Sequence, residues 1–269
     1  MGEATRLVFG DIPPLMRILF YGAAAIAVAI FLAGSWSKVS VWLKGRDDPS
    51  DYVPKKSIGG LVRISLIYLF SGECLFARRV MEKSRLRGVM LIFVYWGFII
   101  LFIGTLLVAV DYDFGLHILR GHFYLYYSLV LDIAGGLALI SLLFYILRRY
   151  VFSRNSVVSS WDDAFVLILM FLIILSGFCV EGIRLARFHP PLMDWSPVGA
   201  LFSQMFSPVT RSYPSSQLLY RIFWASHAFS AFTFIAYLPF SKQFHMFTAQ
   251  ITTSEASRRK SGLWEVTHG

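Results

Sequence analysis

The stretch from Leu218 to Phe247, LLYRIFWASHAFSAFTFIAYLPFSKQFHMF, constrains the fold more than any other. It is apolar and long enough to cross a bilayer core, which takes about 20 residues of α-helix. His227 lies inside it and His245 just past its apolar part. An ionisable side chain within a span is costly unless partnered, so His227 is a candidate functional residue by position alone. Eighteen residues separate the two histidines. At about 1.5 Å per residue that is roughly 27 Å and five turns, so both imidazoles fall on nearly one face of the helix at opposite depths. A helix of this pattern can hold two redox centres, one toward each side of a membrane.

Four more apolar runs, at about 15–33, 89–110, 123–147 and 164–183, join the one at 218–240. They predict an all-α integral membrane five-helix bundle over residues 1–249, with a tail at 250–269. Composition agrees: 57% of the 269 residues are hydrophobic and 15% charged, where soluble domains carry about a quarter charged. The segment before the first run is too weakly basic for a signal peptide and the positive charge follows it, so this run is expected to be an uncleaved anchor. Lys and Arg number eighteen in the first loop, the 148–154 loop and the tail, against seven on the other side. That bias places the N-terminus outside and the C-terminus in the cytoplasm. It also explains the net charge of +9 as topology and not as a nucleic-acid footprint. Within the basic first loop, Leu61 to Ala77 is apolar but contains Arg63 and Glu73, the pattern of an interfacial helix. The Pro- and Ser-rich outer loop from Arg184 to Gln217 contains no clear span and is expected to form a lid or ordered cap.

Small residues, Ser230 and Ala231, lie one turn beyond His227, and the aromatics Phe223 and Trp224 lie one turn before it. A porphyrin edge approaching a coordinating nitrogen needs that kind of space. The alternative is a histidine that hydrogen-bonds a neighbouring helix. A second axial ligand is harder to find, because the run at 89–110 has no histidine. His122 and His117 precede or open the third span and are candidates, or they are interfacial residues of an aromatic belt. His122 lies at the start of its span, whereas His227 lies about nine residues, roughly 14 Å, inside the fifth. Asp132, at a depth close to that of His227, can orient the imidazole, carry a proton for a quinone, or bond another helix. Glu181 and Arg184 are three apart, close enough to pair on one helix face, and are either a structural ion pair or a quinone-pocket lining. Gly97 and Gly104 share a face that admits a helix or a flat macrocycle. Cys74 and Cys179 are too few for an iron–sulfur cluster, which must belong to another chain.

The ordered segments FYLYYSLVLD (123–132), RRYV (148–151), GFCVEGIR (177–184), WSPVG (195–199) and LPFSKQFHMFTA (238–249) resemble the cytochrome b family of respiratory nitrate reductase gamma subunits. More closely, they resemble the membrane subunits associated with heterodisulfide-reductase-like iron–sulfur proteins. The similarity runs from about Ile12 to Ala249. It implies a multi-pass protein of the prokaryotic cytoplasmic membrane, holding heme b between the second and fifth helices. Electrons would pass between menaquinone or another quinone and a cytoplasmic iron–sulfur subunit. His227 and His245 match the family's two iron-ligand positions on the fifth helix. The second helix departs from the pattern: Leu91 or Tyr95, and Thr105, stand where the family has histidines. The resemblance therefore also admits a haem-free membrane anchor or quinone-binding subunit. The basic first loop and Arg258, Arg259 and Lys260 of the tail are expected to dock the partner, or else to bind membrane lipid.

Overall fold

Each apolar run folds as one helix, because backbone amides in hydrocarbon must be satisfied within their own segment. The computed structural model describes residues 8–44, 76–152, 161–188, 193–210, 213–242 and 244. The α-helices among them are, in order, α1 (Pro14–Lys44), α2 (Arg78–Lys83), α3 (Arg85–Asp113), α4 (Gly121–Leu147), α5 (Trp161–Phe188), α6 (Pro197–Thr210) and α7 (Tyr213–Tyr237). Among the described residues there is no strand. Helices α1, α3, α4, α5 and α7 are the five long enough and apolar enough to span a membrane. The protein is a multi-pass helical membrane protein. Most of the expected interfacial helix at 61–77, His245 and the 250–269 tail lie outside the described residues.

The spans overrun the apolar runs that announced them. The first helix continues to Lys44 and the second begins at Arg85, not Val89. Hydropathy marks where the hydrocarbon ends; a helix continues until a cap or a breaker stops it. Between α3 and α4 the chain turns through the left-handed conformations of Gly115 (φ 63°) and His117 (φ 53°). The Asp111 carboxylate there accepts the amide of Leu119 at 2.9 Å.

Helix α5 is the hub, packed by α4, α6 and α7; α3 leans on α4 and α1 on α7. One apolar cluster, Val94, Ala138, Leu142, Ile174 and Phe178, joins α3, α4 and α5. Lipid is as apolar as these side chains, so close packing and not water exclusion must hold the helices together. Gly97 and Gly104 do this for α3. A Cβ at Gly97 would stand 2.6 Å from that of Ala138, and one at Gly104 would stand 2.6 Å from Leu131. Of the two occupants that the glycine face admits, a helix or a flat macrocycle, the structure supplies helix α4. Two tyrosines fasten the same pair: Tyr127 donates to the Gly104 carbonyl at 2.8 Å and Tyr145 to that of Arg87 at 2.7 Å.

The bundle has two distinct ends. At the upper end, where α3 stops and α4 starts, the residues before α1 fold over the helices. There Phe9 and Ile12 pack with Ile183 and Tyr220, Asp11 pairs with Arg187, and Arg221 donates to the Asp11 carbonyl at 3.0 Å. At the lower end α4 finishes in a π turn, Arg148–Phe152, beside the start of α5 and the end of α7.

Candidate functional site

His227 sits half-buried on α7 against α5. Its Nδ1 lies 2.9 Å from the Ile173 carbonyl and 3.1 Å from the Ser176 hydroxyl. A carbonyl only accepts, so Nδ1 carries the proton and donates. Ser176 is itself tied to its own helix, donating to the Leu172 carbonyl at 2.6 Å. A glycine follows it, and a Cβ at Gly177 would lie 3.2 Å from the imidazole Cε1. The Nδ1–Cε1 edge of the ring is thus held against α5 with the proton on Nδ1. A metal-bound histidine is commonly oriented in this way, by a hydrogen bond from one ring nitrogen to a carbonyl. Here the orienting partner is Ile173 with Ser176, and not Asp132.

Asp132 is occupied elsewhere. Tyr124, Ser128 and Asp132 recur every fourth residue along one face of α4, and all three are buried. Both Asp132 oxygens accept backbone amides from the first turn of α6, Val198 at 2.7 Å and Gly199 at 2.8 Å. The first amides of any helix lack intrahelical partners, and the helix dipole favours a negative charge beside them. Asp132 therefore caps α6 from a different helix. Ser128 adds a bond to Ser196 at 2.8 Å, and Pro197, which has no amide to satisfy, sits in the first helical position.

The α5 side of this cluster is the ion pair expected from sequence. Arg184 grips Glu181 with two bonds, 3.0 and 2.6 Å, and sends a third to the Tyr124 hydroxyl at 3.2 Å. Helix α6 is pressed against it: a Cβ at Gly182 would reach 2.6 Å from that of Phe202, and one at Gly199 would reach 3.1 Å from Glu181 and 3.4 Å from Asp132. The three quinone-site candidates, Asp132, Glu181 and Arg184, are therefore brought together around the N-terminus of α6. His122 and His117 are exposed at the upper rim.

These residues define the fit for a b haem. His227 fits one axial position by its donor chemistry. Across the bundle, α3 meets α7 through Phe98 and Phe234, with ring centroids 5.6 Å apart. On α3, Thr105 donates to the Leu101 carbonyl of its own helix at 3.0 Å. Helix α3 carries no histidine or cysteine, and its one methionine, Met90, accepts a bond from the Ser141 hydroxyl of α4 at 3.3 Å.

The class is thus a multi-pass membrane bundle with an oriented intramembrane histidine and a buried polar cluster near one end. Comparison with known proteins narrows it. Over 261 residues the chain is 31% identical to the EtfAB:quinone oxidoreductase of Syntrophomonas wolfei, an alignment covering 91% of this chain and 34% of that protein. The chain thus spans about a third of that relative's length. It is also similar to one of the subunits of the dihydromethanophenazine:CoB–CoM heterodisulfide reductase. Identity is 25% over 75% of this chain and 87% of the protein from Methanosarcina barkeri, and 28% over 77% and 85% for that from Methanosarcina thermophila. These relatives correspond to the heterodisulfide-reductase side of the resemblance; none of the three carries a nitrate reductase name. No family model matches the chain, and no solved structure matches it.

Proposed function

We propose that this chain is the membrane subunit of a quinone-linked electron-transfer complex, exchanging electrons between the quinone pool and a cytoplasmic iron–sulfur subunit that resembles heterodisulfide reductase. The observation that carries this reading is the His227 imidazole, held by Ile173 and Ser176 in the middle of a span with its proton committed to Nδ1. The relatives support it by name, one being a quinone oxidoreductase and two being subunits of a heterodisulfide reductase. His227 would hold the iron of a b haem, and His245, on the same chain eighteen positions later, would hold that of a second. Heme b, when bound, supplies reversible one-electron transfer. Ser176 and the Ile173 carbonyl keep the imidazole oriented and basic. Asp132, Glu181 and Arg184 form the polar end toward which a menaquinone headgroup is placed, with the upper end outside the cell and the basic lower end in the cytoplasm of a prokaryote. A second reading, a haem-free anchor or quinone site, is favoured by two observations: the glycine face of α3 is filled by α4, and α3 carries no histidine.

A dithionite-reduced minus oxidised spectrum of the purified protein, with haem quantified as pyridine haemochrome, separates the two. The first reading expects a b-type α-band that is lost or halved in His227→Ala. A folded, haem-replete preparation without the band leaves the second.

A further inference from the structure

We propose that the lower end of the bundle contains a binding site for the phosphate of an anionic phospholipid. A cavity of about 590 Å³ opens there between α3, α4 and α5, with Lys242 across its mouth. Its inner wall is apolar, formed by Leu91 and Val94 of α3, Leu142 of α4, and Leu167 and Met170 of α5. Its rim is charged, with Arg148, Arg149 and Lys242 facing Asp162 and Asp163.

The two carboxylates do not neutralise the three cations. Asp162 is taken up by α7 and the residues after it, accepting the Tyr237 hydroxyl and, at 2.8 Å, the amide of Lys242. Asp163 faces both Arg149 at 3.3 Å and Lys242 at 3.8 Å. Arg148, half-buried at the start of the π turn, has no ion pair or hydrogen bond from its side chain among the described residues. A π turn is rare and recurs at functional sites. Among the described residues the rim is thus one positive charge in excess, and the cation with no carboxylate facing it there is a guanidinium, whose planar fork suits a phosphate better than a point cation does.

Depth selects the source of the phosphate. Trp161, Tyr150 and Phe152 are exposed beside the rim, and exposed aromatics of this kind mark the level of lipid headgroups. A phosphate on Arg148 at that level would let its acyl chain run down along Leu91, Leu142 and Met170. Basic pockets between spans are known to select anionic headgroups in this way. A zwitterionic lipid brings its own cation and gains less from Arg148; free phosphate has no use for the apolar wall.

Native mass spectrometry of the full-length protein in a non-ionic detergent, titrated with phosphatidylglycerol or phosphatidylcholine of identical chains, tests it. Phosphatidylglycerol should be retained about tenfold more tightly, the size of one charge-assisted contact, and Arg148→Gln should remove the preference. Leu167→Trp, which fills the cavity and leaves the rim charges in place, should weaken retention of phosphatidylglycerol as well, so the two variants reach the site by independent routes. Equal retention of the two lipids, or a preference that survives both variants, overturns the proposal. Displacement of phosphatidylglycerol by millimolar inorganic phosphate also overturns it, because the site would then be one for a free anion.

Discussion

Replacing Asp132 by alanine should release the first turn of α6 from the bundle. The carboxylate accepts two amides at 2.7 and 2.8 Å, each a charge-assisted bond contributing about 1.5–3 kcal/mol. Their sum is about 3–6 kcal/mol, and the lower figure is expected, because the Ser196 hydroxyl can turn from Ser128 and recover part of one bond. Asparagine keeps one accepting oxygen but turns a donor toward the second amide, so Asp132→Asn should lose roughly half as much. Hydrogen exchange read by mass spectrometry on peptides containing Val198 and Gly199 reports the bonds themselves. A loss of about 3 kcal/mol in local stability appears as roughly a hundredfold faster exchange in Asp132→Ala, with an intermediate value for asparagine. Peptides from α3, which Asp132 does not touch, should be unaffected. Exchange at Val198 and Gly199 that is unchanged within about twofold would refute the cap, as would faster exchange spread evenly over the whole bundle.

Two further substitutions probe the packing that positions this site. Gly97→Leu forces a side chain where even a Cβ would meet Ala138 at 2.6 Å and the Ala134 carbonyl at 3.0 Å, so α3 must move off α4 at about 1–3 kcal/mol, read as a lower thermal midpoint in detergent; an unchanged midpoint would mean the helices are not in contact there. Arg184→Lys retains the charge but not the fork that grips Glu181 and Tyr124 together, whereas Arg184→Gln takes the cation away from a mostly buried carboxylate at about 3–5 kcal/mol. Lysine should therefore destabilise less than glutamine, and equal losses would count against the ion pair.

Much of this architecture was legible in the sequence, and the exceptions have definite causes. The five runs gave the five spans, since a stretch of about twenty apolar residues has few other places to go. The ion pair of Glu181 and Arg184 followed from a spacing of three. Helix α6 was missed: it lies in a loop expected only to form a lid or ordered cap, and at 14 residues it is too short to be a span. Its signals were nonetheless present. Ser196 and Pro197 open it as N-cap and first residue, and Val198, Leu201, Phe202, Met205, Phe206 and Val209 keep a helical period. A search for spans asks for about 20 apolar residues in a row, and a helix of 14 fails on length whatever its periodicity.

Asp132 was legible in kind but not in detail. A carboxylate inside a span must be neutral, paired or wet, and of the roles open to it, orienting His227, serving a quinone or bonding another helix, the structure shows the last. The sequence does not display which groups donate: they are a pair of peptide amides at the start of α6. His227 repeats the pattern, since its proton goes to the Ile173 carbonyl, with a serine alongside. A sequence displays side chains and hides which backbone groups a helix end leaves unsatisfied, so a partner of this kind shows only as a mismatch: a buried charge with no opposite charge at a plausible spacing. Such a mismatch beside a Ser-Pro helix start is itself a readable feature, because the first amides of a helix are donors that have to be satisfied. It also means that the two most conspicuous polar residues of these spans answer to different helices. Asp132 ties α4 to α6, His227 ties α7 to α5, and the hub α5 brings both within one bundle without a contact between them.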